Sequence, residues 1–431
     1  MSVRLYNWVD TIFDDGGRAY LKRLSGNDTL LTGSHQAGPY VPNKIIFDLF
    51  PSLADSDELN PRVTIPMSLV SDSMPEREVT AIWYNNRVVA DGTRNECRIT
   101  GWGGQDSPLL DPESTGSVVA LTFKGPQGGD AIGCEIWVCS SPEEEDILED
   151  RFGPVEPGSW LYIRGPCSPI ALPRPVEEVR DPMGQFIALE ADAAQLAFAL
   201  GRPVDKDCRL AIDQIPAEWL QDFPSGEAII EKSVSMRPDY VRLDPDKRLL
   251  KRRDCEYEVY LSVEEAVVLP EIENGFDSVD DFVSIANSVT NRRKARSGRS
   301  LELHAKGIFM EEGLEDFSHD QVSEGRKRPD FLFPSADAYH DASYPADNLR
   351  MLAAKTCCKD RWRQVADEAE RIGTKHLLTL QEGVSENQFA QMEKAGIVLV
   401  VPQPLFKKYP VSVRDRLVNF EAFIGEVKSL D

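Results

Sequence analysis

The stretch ALPRPVEEVRDPM, residues 171–183, divides a chain with two different hydrophobic patterns. Its three prolines and mixed charge suit an extended linker, because proline neither continues a helix nor donates to a sheet ladder. Before it, VTAIWYNNRVV, ECRITGWGG, SVVALTF, EIWVCS and WLYIRG are short β-branched and aromatic runs parted by turn residues. That pattern predicts a mostly β barrel or sandwich over residues 1–170, with SPEEEDILED (141–150) as a solvated helix or loop. After it, QFIALEADAAQLAFAL (185–200) reads as a helix and YEVYLSV (257–263) as a strand. Residues 277–313 read as two helices joined near Ser297–Gly298. Further on, PDFLFPS, LRMLAAKTC, KHLLTLQ and IVLVVPQP read as buried strands, with DRWRQVADEAERI and SENQFAQMEKAG as helices between them. Strands alternating with helices predict an α/β domain with a central mixed sheet over 184–431, its core in 281–431. The whole is then a multidomain α+β chain.

Charge divides along the same line. The net charge of −24 argues against a polyanionic partner at first sight. Residues 281–431, however, hold 22 Lys plus Arg against 23 Asp plus Glu, while residues 1–280 hold 26 against 49. The acidity belongs to the first two-thirds, and local basic clusters can still meet phosphate, since affinity follows the local potential. No apolar run is long enough to cross a bilayer and no leader-like segment opens the chain, so a cytoplasmic protein with no membrane partner is expected. Eight dispersed cysteines do not make a disulfide scaffold, and reduced thiols are expected.

Cys357 and Cys358 lack a second Cys or His pair at finger spacing, so a zinc site is not indicated. The charged residues nearby carry more. Asp330 opens the apolar strand DFLF, and Lys355 lies 25 residues later inside MLAAKT. A lysine in a buried run is costly unless an anion meets it. This is the shape of the PD…(D/E)xK nuclease signature. Two acids hold Mg²⁺ against the scissile phosphate, and the lysine serves the attacking water and offsets developing charge. Position 353, where the second acid belongs, is Ala. The following helix can supply it: Arg361, Val365 and Glu368 at i, i+4, i+7 share one helical face, from which Glu368 could reach back. Glu302, in SLELH, is an auxiliary acid to border the metal or hold a water. Spacing alone is served equally well by a structural Asp330–Lys355 ion pair.

RPDFLFPSADAYHD, LRMLAAKTCCKDRWRQ, KHLLTLQEGVSENQF and VPQPLFKKYP resemble the catalytic domain of EcoRII-type Type II restriction endonucleases. The resemblance implies a Mg²⁺-dependent homodimer that hydrolyses double-stranded DNA at a CC(A/T)GG-like site, with a companion DNA methyltransferase acting on the same sequence. By position it makes Asp330 and Glu368 metal carboxylates, Lys355 the active-site lysine and Glu302 the auxiliary acid, and it places Tyr339 near the site. KDRWR resembles the stretch that reads CC:GG pairs, with Lys359 and Arg361 donating to guanine and Asp360 accepting from cytosine. Arg363 then serves either DNA or solvent. RRKARSGR (292–299) and RKR (326–328) are either phosphate contacts or solvated faces.

LSGNDTLLTGSHQAGPYVPNKIIFDLFP and IWYNNRVVADGTRNECRITGWGG are similar to the family's amino-terminal effector domain, a DNA-binding β pseudobarrel. That likeness implies DNA contacts at His35, Tyr40, Arg87, Glu96 and Arg98, and engagement of more than one site copy. The domain departs from the family at Cys97 and Asp91, where basic residues are expected. Two other classes stay open: a DNA-binding regulator with an inactive nuclease, which would bind without cutting, and a repair or structure-specific nuclease, which would leave ragged ends.

Overall fold

A computed structural model describes residues 2–13, 16–33, 38–72, 74–90, 92–126, 128–164, 208–325 and 327–430. The expected linker at 171–183 and the helix expected over 185–200 lie outside them. Contacts divide the chain into two compact units, Met1–Pro203 with Glu382–Ser385, and Val204–Gln381 with Glu386–Asp431.

In the first unit, seven strands form one sheet: β1 (Arg18–Arg23), β2 (Arg62–Leu69), β3 (Arg77–Tyr84), β4 (Glu96–Thr100), β5 (Val118–Lys124), β6 (Gly133–Val138) and β7 (Trp160–Arg164). Their order is β4-β3-β2-β6-β5-β1-β7, antiparallel except for the β2–β6 pair. Alternate residues of every strand enter one apolar cluster, among them Tyr20, Met67, Val79, Ile99, Leu121, Ile136 and Tyr162. Ile45, Ile46 and Leu49 of the helix Asn43–Leu49 fill its centre. Each such side chain contributes roughly 1.5–3 kcal/mol by leaving water, which drives the sheet to curl around one core. Among the described residues no pairing joins the edge strands β4 and β7, so the curl stays open. The acidic run is helical, as one of its two readings had it, but only partly solvated. It forms the helix Pro142–Phe152, whose Glu145 and Glu149 accept from the buried Arg23 guanidinium at 2.7 and 2.9 Å.

The second unit holds a five-stranded mixed sheet: β8 (Ser318–His319), β9 (Phe331–Phe333), β10 (Arg350–Ala354), β11 (Lys375–Leu378) and β12 (Ile397–Val400). Strands β10, β11 and β12 run parallel, and β8 and β9 pair antiparallel at one edge. Phe309, Phe331, Phe333, Phe420 and Phe423 pack edge-on and tilted beneath it. The mixed sheet with flanking helices matches the expectation.

Three helical readings change. YEVYLSV is helical, inside the 30-residue helix Pro245–Asn274, which Asp244 caps by accepting from Lys247 N–H at 2.9 Å. Most of its residues from 248 to 264 are buried. A helix enclosed this thoroughly needs no polar face, so its 3.6-residue period is lost from the sequence. Residues Val279–Glu311 form one helix that runs through Ser297–Gly298 without a break. Arg296 and Ser300, on either side of the glycine, both bond Glu256 at 2.9 Å and hold the axis straight. An exposed glycine there costs about 1 kcal/mol against alanine, too little to break a helix pinned at both sides. The stretch DRWRQVADEAERI, expected to be helical throughout, is α-helical only over Trp362–Ala366. Cys208 and Cys255, both fully buried, form a disulfide, against the expectation of reduced thiols.

Candidate active site

Asp330 directly precedes β9, and β9 pairs antiparallel with β10 so that Leu352 faces Phe331. This register brings the end of β10 beside Asp330. One oxygen, Oδ2, accepts from the Ala354 backbone N–H at 2.7 Å and from Lys355 Nζ at 3.0 Å. The Lys355 backbone N–H donates to the Leu378 carbonyl at 2.9 Å, which continues the β10–β11 pairing and fixes the lysine's base. Ala353, at the position where the signature carries an acid, is fully buried.

Glu368 arrives by a different route from the one expected. The helix after β10 is a single turn, Trp362–Ala366, so no face at i, i+4, i+7 exists. Glu368 sits two residues beyond it, where Ala369 takes a left-handed φ of 47° and reverses the chain. Burial pushes the Glu368 carboxyl up to about 7; Lys355 opposes that rise and the Asp330 charge adds to it. Its Oε2 is buried with no hydrogen-bond partner. Tyr339, fully buried, braces this turn: its hydroxyl accepts from the Arg371 N–H at 3.2 Å. Glu302 lies on the helix Val279–Glu311 and bonds His319 Nε2 of β8. The His319 ring packs on Phe331, centroid to centroid 5.1 Å, one residue from Asp330.

Residues 359–361 form a turn where the Arg361 N–H donates to the Cys358 carbonyl at 3.1 Å. Arg361 is exposed and Lys359 and Asp360 are half-buried. Arg363 lies 3.6 Å from Asp360, an exposed pair worth about 0.2–1 kcal/mol. Both neighbouring thiols point at the side-chain oxygen of Gln381, at 3.2 and 3.5 Å, and burial pushes the Cys358 thiol up. Neither His319 nor Gln381 was legible in the sequence, since each is a lone polar residue with no motif around it.

The basic stretch 292–299 is largely spent inside the unit. Arg293 donates to Glu264 at 2.9 Å, Arg296 to Glu256 at 2.9 Å, and Arg299 lies 3.6 Å from Glu227. In the 326–328 run, Lys327 pairs with Glu370 at 2.9 Å, and Arg326 lies outside the described residues.

In the first unit, Tyr40 is half-exposed, with its N–H donating to Asp28 at 3.0 Å and its carbonyl accepting from the Tyr20 hydroxyl at 2.8 Å. Arg87 is exposed on the short helix Asn86–Val89. Glu96 and Arg98 share one face of β4 and pair at 3.2 Å. Cys97, between them, faces the core, and burial pushes its thiol up to about 12. A basic residue there would need to leave that core. His35 and Asp91 lie outside the described residues.

A family model described as "Restriction endonuclease EcoRII, N-terminal" matches residues 15–166, and one described as "EcoRII C terminal" matches residues 260–424. The chain is 45% identical over 433 aligned residues to the Type II restriction enzyme EcoRII of Escherichia coli, covering 100% of this chain and 98% of that enzyme. The chain belongs to the EcoRII family of Type II restriction endonucleases. It is a site-specific deoxyribonuclease acting on double-stranded DNA. The Type II restriction enzyme SsoII of Shigella sonnei is 23% identical over 244 residues, 52% of this chain and 74% of SsoII. A solved structure, metal-depleted Ecl18kI in complex with uncleaved DNA, aligns with a TM-score of 0.41 and 19% identity over 49% of this chain and 80% of that one. Among the described residues no helix is long and apolar enough to cross a membrane.

Type II restriction enzymes are in general divalent-metal dependent. Among the described residues no three His, Cys, Asp or Glu side chains converge as a ready-made ligand set. The residues of this EcoRII-family centre nevertheless suit a hard cation. Asp330 and Glu368 could supply oxygen ligands, since Glu368 Oε2 is buried with no hydrogen-bond partner. Mg²⁺ is typically held by one or two carboxylates, with water and substrate phosphate filling the other positions, so two acids suffice.

Proposed function

We propose that this enzyme cuts both strands of a CC(A/T)GG-like site as a homodimer, each subunit using Asp330, Lys355 and Glu368 with Mg²⁺. The observation that carries the reading is one cluster: the Lys355 ammonium 3.0 Å from Asp330, with both charges acting on the half-buried Glu368 carboxyl, whose Oε2 has no hydrogen-bond partner. Asp330 and Glu368 would hold the cation. Bound there, it supplies Lewis-acid polarisation of the scissile phosphate. The Lys355 ammonium orients the attacking water and offsets negative charge growing on the phosphoryl oxygens. Glu302, tied to His319, borders this centre and holds a water. Lys359 and Arg361 donate to guanine edges and Asp360 accepts from cytosine, four to six residues from the catalytic lysine. Recognition and cleavage thus ride on one short stretch of chain.

The first unit serves as the effector domain, binding further copies of the site through His35, Tyr40, Arg87, Glu96 and Arg98. The enzyme works in the cytoplasm beside a DNA methyltransferase of the same specificity. The deciding experiment is digestion of plasmids carrying no, one or several CC(A/T)GG sites in Mg²⁺, with sequencing of the ends. Uniform ends at that site, and faster cutting of multi-site plasmids, are expected. Ends at another sequence, or cutting that ignores site number, would refute the respective part.

A further inference from the structure

We infer that Gln381 is a positioning residue for sequence discrimination: its side-chain carbonyl holds the 358–359 backbone from which the base-reading side chains project. The inference rests on the proposed role of Lys359, Asp360 and Arg361. Gln381 is fully buried, three residues past the end of β11. Its Oε1 accepts from the Cys358 N–H at 3.0 Å and the Lys359 N–H at 2.8 Å. Two backbone N–H donors take the two lone pairs of one amide oxygen, and both adjacent thiols point at the same atom. The backbone that carries this side chain is itself pinned. The Gln381 N–H donates to Thr379 Oγ1 at 3.2 Å, and the Gln381 carbonyl accepts from the Tyr409 hydroxyl at 2.8 Å.

This arrangement separates two functions that lie four residues apart. The Lys355 backbone is held by Leu378 through main-chain pairing, and the Thr356 carbonyl accepts from the Leu380 N–H and from Thr379 Oγ1, both at 3.3 Å. The 358–359 turn has left that pairing, and two of its N–H groups depend on a side chain instead. A base-reading group must hold its place to a fraction of an ångström, so its support decides discrimination. Losing the Gln381 oxygen therefore loosens recognition while leaving Lys355 in place.

The test uses the full-length enzyme with Gln381→Met, which keeps length but removes the acceptor, Gln381→Glu, which keeps an acceptor, and Gln381→Asn, which withdraws the oxygen by one methylene. Binding in Ca²⁺ is measured for the cognate duplex and for one with a single altered C·G pair, together with single-turnover cleavage at saturating DNA. Gln381→Met should weaken cognate binding roughly 10- to 100-fold and leave the altered duplex bound as before. Its cleavage rate at saturation should stay within about threefold of the parent. Gln381→Glu should restore most of the discrimination. Should Gln381→Met not fold, Gln381→Asn is expected to lose discrimination in the same direction. Discrimination unchanged in Met and Asn variants, or lost equally with Glu, would overturn the inference. Arg361→Ala separates the underlying reading: if that variant discriminates normally, the turn does not read bases and this inference falls with it. If it loses discrimination while Gln381→Met does not, only the role of Gln381 is refuted.

Discussion

Replacing Glu368 by Gln should make the metal-free enzyme more stable and the enzyme inactive. In the folded chain Glu368 keeps its proton up to about pH 7, while an ordinary glutamate gives it up near 4.5. A raised value means that this group's stability contribution is complete below 4.5 and is lost as pH rises toward 7. Above pH 7 the folded state carries the full cost of a half-buried carboxylate beside Asp330. At about 1.4 kcal/mol per pH unit the ceiling is about 3.5 kcal/mol, and partial exposure lowers this to roughly 1–2 kcal/mol. Gln keeps the shape and never ionises. Urea unfolding in EDTA should therefore show the variant about 1–2 kcal/mol more stable at pH 8 and level with the parent at pH 4.5. Its single-turnover cleavage in Mg²⁺ should fall at least about 1,000-fold, since one of two cation-holding charges is gone. Millimolar Ca²⁺ should raise the parent's melting temperature and leave the variant's unmoved. A variant that is no more stable at pH 8, or that still cuts, would show that Glu368 does not face Asp330 as a cation ligand.

Lys355→Ala should cut at least about 100-fold more slowly while binding cognate DNA in Ca²⁺ within about threefold of the parent; cutting within tenfold of the parent would move the catalytic cation elsewhere. Arg361→Ala should cost about 1–3 kcal/mol of cognate affinity and far less on unrelated DNA, so equal losses on both in filter binding would mark a phosphate contact. Asp246→Ala should destabilise the catalytic unit by about 3–5 kcal/mol in urea titration, because buried Asp246 accepts from the N–H groups of Gln403, Phe420 and Glu421 at 2.9–3.0 Å. A loss below about 1 kcal/mol would mean those donors find water.

By itself the sequence determined what depends on local pattern and residue chemistry. The short β-branched and aromatic runs before residue 170 became five of the seven strands of the curled sheet, β3 to β7, and the apolar runs after 330 became four strands of the mixed sheet. Asp330 and Lys355 were legible because a charge in an apolar run demands a partner, and each is the other's. Only the tertiary structure decided the rest. Residues 257–263 alternate like a strand yet form a helix, because burial on several sides removes the polar face that would announce it. The basic run 292–299 reads as phosphate contacts or a solvated face, but Glu264 and Glu256, some 30–40 residues away, pair its Arg293 and Arg296. Glu368 feels the charges of Lys355 and Asp330, but not by way of the helical face expected from its spacing. The helix stops at Ala366, and Glu368 sits in the turn beyond it, just before a left-handed Ala369. Cys208 with Cys255, Glu302 with His319, and Gln381 with the 358–359 turn are partners far apart in the chain, and pattern carries no information about which distant residue meets which. Such pairings are set when sheet and helices pack, by which buried donors and acceptors are left facing one another.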